Sequence, residues 1–131
     1  MTFKYVSTEV GQLFTVTDIN RCVFHGLDQH PQMTIIGPLL CPKTLLSSKT
    51  SRARLLAPFL EADEAFSHQT AAWIHLRIGN PFPLCVVTGL RRRRPTQKLV
   101  FYRQHWQQDL DDTLSIPVVN VTRTRKDFQL P

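Results

Sequence analysis

From residue 72 to residue 125, short apolar runs alternate with turn formers at intervals too short to hold a helix between neighbouring strands. This spacing constrains the fold more than any other feature. Ile74, Leu76 and Ile78 alternate with Trp73, His75 and Arg77, the period of a strand with one buried face. Asn80-Pro81-Phe82-Pro83 then forces a turn. Residues 84–90 read as a second strand, 91–97 as a loop, 98–106 as a third strand and 116–125 as a fourth, with Pro117 at its start or at a sheet edge. Parallel neighbours need a long crossover, so the short connections predict antiparallel pairing. The expectation is a four-strand antiparallel meander with Ile74, Leu76, Ile78 and Leu99 facing the core.

Ahead of the meander, Leu13-Phe14-Thr15-Val16 and Met33-Thr34-Ile35-Ile36 read as one or two N-terminal strands, punctuated by Gly26, Pro31, Gly37, Pro38 and Pro42. Between them and the meander, Leu55, Phe59, Ala62 and Phe66 recur at helical spacing, which places a helical segment near 48–66 on one face of the sheet. Pro58 either kinks that segment or opens the first turn of a second short helix. The predicted class is α+β with an antiparallel sheet. At 131 residues the chain has the length of a single compact domain, 1–131.

No apolar run reaches the ~18 residues needed to cross a bilayer, and Met1-Thr2-Phe3-Lys4-Tyr5-Val6 lacks the order of a signal peptide. The expected setting is cytoplasmic, with no membrane partner. Cys22, Cys41 and Cys85 are odd in number and widely spaced, as suits reduced thiols. Asn120-Val121-Thr122 matches a glycosylation acceptor, without consequence in that setting. Cys22, His25, His30 and Cys41 have the chemistry of zinc ligands, but they lack the paired Cys-x-x-Cys spacing of a zinc ribbon. Neither a metal nor a cofactor is expected.

The net charge of +6 is carried unevenly. Residues 1–70 are balanced, whereas 71–131 hold ten basic side chains against four acidic ones, so the whole excess lies in the second half. Such a concentration suits a polyanion, a phosphorylated ligand or an acidic protein surface. The candidate binding residues are Arg91, Arg92, Arg93 and Arg94 in the loop, with Arg77, Lys98, Arg103, Arg123 and Arg125 on strands that could share a face with it. Guanidinium forks bond oxyanions bidentately and stay charged. Trp106 joins the set as an aromatic on which a base could stack, beside Trp73, Phe101 and Tyr102.

For catalysis, His68, His75 and His105 are candidate bases, Cys85 a candidate nucleophile, and Asp109, Asp111 and Asp112 candidate carboxylate partners. No spacing among them encodes a mechanism. Leu76-Arg77-Ile78-Gly79-Asn80-Pro81-Phe82-Pro83-Leu84 resembles hairpins of ligand-binding antiparallel α+β folds such as chorismate lyase, and the rest of the chain offers no catalytic residues to match. The leading expectation is a small basic module that contacts nucleic acid or an acidic partner through its C-terminal half, within a larger assembly. The alternative is a lyase-like enzyme or ligand binder whose arginines hold a small anion. A concave pocket lined by Arg77 or Arg103 with a histidine would favour the alternative.

Overall fold

The computed structural model describes residues 5–6, 14–15, 31–89 and 98–128. By the density of its internal contacts the chain divides into two compact units, Met1–Pro58 and Phe59–Pro131. The described residues contain three α-helices and two sheets, so the α+β class holds. No helix among them is long and apolar enough to cross a membrane.

In the first unit a four-stranded sheet runs in the order β2-β1-β4-β3, with β1 (Tyr5–Val6), β2 (Phe14–Thr15), β3 (Met33–Ile36) and β4 (Leu39–Pro42). Both expected N-terminal strands are present. β3 and β4 form a hairpin in which Ile36 faces Leu39. Gly37 opens its two-residue loop at φ +54°, a conformation that costs glycine nothing. Helix α1 (Lys49–Leu56) starts at Ser48, whose Oγ accepts the Ser51 N–H at 3.1 Å. It is shorter than the expected segment over 48–66. The helix ends at Leu56, a 3-10 turn carries Pro58, and residues 64–66 are a strand. Proline has no N–H to continue the ladder, and the Leu/Phe/Ala/Phe spacing runs through an α-helix, a 3-10 turn, a turn and a strand.

In the second unit β5 (Glu64–Phe66), β6 (Leu84–Thr88) and β7 (Lys98–Tyr102) form a three-stranded sheet in that order. β5 is antiparallel to β6, but β7 is parallel to it. Helix α2 (His68–Leu76) packs on β6 and on helix α3 (Val121–Phe128). Phe66, Ile74, Val86, Val87 and Val118 are fully buried or nearly so and form the centre of the unit.

The four-strand meander is corrected in three places. Residues 68–76 are helical: Thr70, Ala71, Ala72, Trp73 and Ile74 are buried in succession, as in a helix enclosed by its neighbours, and the apparent alternation covers only its last turn. The resemblance to a hairpin over 76–84 fails with it, because those residues run from a helix end to a strand start. Residues 121–128 are the second departure. Asn120 Oδ1 accepts the Arg123 N–H at 2.8 Å and caps a helix where a strand was expected, leaving only the bridging residues Val118 and Val119 in extended pairing. The third is the direction of β7. Nine residues between β6 and β7 can extend roughly 30 Å, well beyond the ~17 Å of a five-residue strand, so a return to the same end needs no helix. Of the residues expected in the core, Ile74 is buried, whereas Ile78 is 53% and Leu99 49% exposed.

Burial sets the expected ranking of stability. Phe66→Ala should lower the unfolding free energy by about 3–5 kcal/mol in urea denaturation, through lost transfer energy and an unfilled cavity. Leu99→Ala should cost no more than about 0.5 kcal/mol. The reverse order would return Leu99 to the core.

Candidate functional site

The parallel strands β6 and β7 end on the same side, which makes the residues that follow them neighbours. Here β6 leads into Gly89 and β7 into Arg103, whose N–H donates to Thr88 O at 3.0 Å and so continues the pairing past the strand end. The chain then turns through Gln104 and His105 into a 3-10 helix, Trp106–Asp109. Trp106 packs with Ala65, Val87 and Val119, with Phe101 and Leu110 against them, which anchors the turn to the core. A surface cavity of ≈ 430 Å³ lies at this end, lined by Tyr102, Arg103, His105, Trp106, Asp109 and Arg123.

Arg123 comes from α3. Its Nε donates to Asp127 Oδ1 at 3.1 Å, one helical turn on, and Arg103 Nη2 donates to the same oxygen at 3.2 Å. Arg123 Nη1 lies 4.0 Å from Asp109 Oδ2, a longer and more exposed pair. The Asp127 side chain is 7% exposed, and its second oxygen, Oδ2, is buried without a hydrogen bond. A buried carboxylate thus draws two guanidiniums together, leaving each with further N–H groups at the cavity.

His68 fixes Arg103 from the other side. Arg103 Nη2 lies 3.2 Å from His68 Nε2, and a guanidinium can only donate, so Nε2 accepts and the ring proton sits on Nδ1. Nδ1 in turn donates to Ser67 Oγ at 2.9 Å. The ring stacks on Phe101 with centroids 4.0 Å apart, and the backbone holds φ +48°, a left-handed conformation that costs a non-glycine residue about 1–2 kcal/mol. Burial pushes the His68 pKa down; Asp127 opposes that shift and Arg123 adds to it. A neutral acceptor results. Ser67 is fully buried and accepts from the imidazole, so it is not activated as a nucleophile.

Compared with family models, with curated proteins and with solved structures, the chain finds no match.

Of the candidate residues, Arg103, Arg123 and Trp106 meet at the cavity. Lys98 does not: its Nζ lies 2.9 Å from the buried Glu64 Oε1 and 3.5 Å from Glu61 Oε2, with the side chain 11% exposed. Arg77 is exposed at the left-handed end of α2, and Arg125 is exposed on α3. Arg91, Arg92, Arg93 and Arg94 lie outside the described residues, as do Cys22, His25 and His30 of the weighed zinc set. Cys41 is buried, which pushes its thiol up to about 11, and no metal-binding cluster occurs among the described residues. Trp73 is buried in α2 and Trp106 in the core, which leaves Tyr102 as the exposed aromatic of this end. Asp127 is the residue that sequence reasoning passed over. Its signal, the Arg123/Asp127 spacing of four, becomes visible only once 121–128 is read as a helix.

Because the folded state favours neutral His68, protonation favours unfolding. The contribution is absent at high pH and grows as pH falls through the ordinary histidine value of 6.5. Stability of the wild type should therefore fall more between pH 7.5 and roughly 5.5 than that of His68→Gln, measured by urea midpoints. Parallel pH profiles of the two proteins would show that His68 is not held neutral.

Proposed function

We propose that residues 59–131 form a binding module for a small ligand bearing an oxyanion, held by Arg103 and Arg123. The observation that carries this reading is the convergence of two arginines from different elements, with His105, on one cavity outside the carboxyl ends of β6 and β7. Each arginine is already oriented by Asp127, and Arg103 also by His68, so little side-chain entropy remains to be lost on binding. The anion must share the two cations with Asp127 and Asp109. Asp127 is buried and committed, whereas Asp109 is 39% exposed at the side chain and 4.0 Å from its partner. Asp109 is the group a ligand displaces.

The wider expectation of a module for nucleic acid or an acidic protein rests on the charge excess of 71–131 and on the exposure of Arg77, Arg125 and Lys126. Burial of Lys98 and Trp106 removes two members of the basic, aromatic face which that reading would use. We therefore place the anion cavity first.

Titration calorimetry with inorganic phosphate is the direct test. Arg103→Gln and Arg123→Gln should each weaken binding about tenfold, the loss of roughly one charge-assisted hydrogen bond. Asp109→Asn should strengthen it a few-fold. Absence of phosphate binding, or indifference to Arg103→Gln, would overturn the reading. A separate titration with single-stranded RNA tests the polymer reading. If it holds, replacing Arg91, Arg92, Arg93 and Arg94 together by alanine should flatten the slope of log affinity against log salt by roughly two or three units.

A further inference from the structure

A second cavity, of ≈ 310 Å³, lies at the same end of the sheet, lined by Asp63, Gly89, Gln104, Trp106 and Gln107. It shares Gln104 and Trp106 with the first, so the two adjoin across the indole. Their chemistries differ. The first presents two guanidiniums, an imidazole and the Asp109 carboxylate, while the second presents the Asp63 carboxylate and the amides of Gln107 and the shared Gln104, with no cation among the described residues of its lining. A carboxylate accepts from hydroxyl groups, and an amide both accepts from them and donates to them. Gly89 lies beside Trp106, whose Nε1 is buried without a hydrogen-bond partner.

We infer that the ligand is a sugar phosphate, with its phosphate at Arg103 and Arg123 and its hydroxyl-bearing body against Asp63, Gln104 and Gln107. The inference rests on the anion-binding reading above and extends it to the rest of the molecule. Two forks reaching the cavity from separate elements suit the three terminal oxygens of a phosphate monoester, whereas a carboxylate presents only enough oxygen for one fork. The Asp63 carboxylate selects against a second anionic group at the other end.

The test uses the full chain and three probes in parallel titrations: ribose 5-phosphate, inorganic phosphate and ribose. Ribose 5-phosphate should bind at least about tenfold more tightly than phosphate, a gain of roughly 1.4 kcal/mol, and ribose alone should bind more weakly than either. The double variant Asp63→Asn, Gln107→Leu should lose that gain and keep the affinity for inorganic phosphate. Asparagine tolerates the left-handed backbone of Asp63, φ +67°, and both side chains are exposed, so the variant should stay folded. Arg103→Gln should weaken both phosphorylated probes. Phosphate binding without any gain from the sugar, a gain that survives the double variant, or ribose binding as well as ribose 5-phosphate would each overturn the inference alone. Failure of both phosphorylated probes to bind would overturn the anion-binding reading and the inference with it.

Discussion

Two hydrogen bonds at Phe66 organise the second unit. Its N–H donates to Pro117 O at 3.0 Å and its carbonyl accepts from Val119 at 2.9 Å, while its other edge is paired with β6. The 117–119 segment is thereby held against β5, and its far side is held in turn by Asp111 N–H to Val118 O at 2.8 Å. The bridge to Val118 pairs the outer edge of β5 at Phe66, so that both backbone polar groups of this fully buried residue are satisfied. Val118 and Val119 are buried as a result, and α3 begins two residues later, at Val121. Every group that α3 contributes to the cavity takes its position from that attachment.

The charged groups at the cavity obey the same economy of burial. Asp127 would be costly to bury alone, and two guanidiniums on one oxygen compensate it. Arg103 in turn needs an acceptor on its inner side, and an imidazolium there would place two donors face to face. Burial of His68 keeps the ring neutral and so supplies the lone pair. The left-handed backbone at His68 and the stack on Phe101 fix the ring at the one height from which Nε2 meets Arg103. The arginines are oriented, and with His68 neutral the two guanidiniums and the Asp127 carboxylate keep one positive charge in excess.

The α+β class and several strands match the sequence reading, and the departures have specific causes. The class, the strand at 33–36, the strand at 84–88 and the first five residues of the strand at 98–106 are legible because their flanks carry glycine, proline or a charge run. Helix α2 is misread because an enclosed helix has no polar face, so periodicity yields no helical signal and three isolated apolar residues pass for a strand. The cap at Ser67 and the left-handed stop at Arg77 are positional, and both are compatible with a turn. Asn120 falls in a glycosylation tripeptide, yet its role in the fold is that of a cap, for which Asn is among the best residues. Lys98 illustrates a different limit: a lysine on a strand looks the same in sequence whether it faces solvent or, as here, Glu64.

The direction of β7 matters more to function than any of these. In an antiparallel pair the end of one strand lies beside the start of the next, and residues following the two strands would emerge on opposite sides of the sheet. Gly89 and Arg103 would then be separated by the length of a strand. In the parallel pair they are neighbours, joined by the Arg103 N–H to Thr88 O bond, and the turn after β7 folds Trp106 back beside Gly89. Arginine, histidine and amide side chains that the sequence scatters over strand, turn and helix are gathered at one end for that reason. Of the ten basic side chains of the second half, Lys98 is paired in the sheet with Glu64, Arg77, Arg125 and Lys126 are exposed, Arg103 and Arg123 line the cavity, and Arg91, Arg92, Arg93 and Arg94 lie outside the described residues.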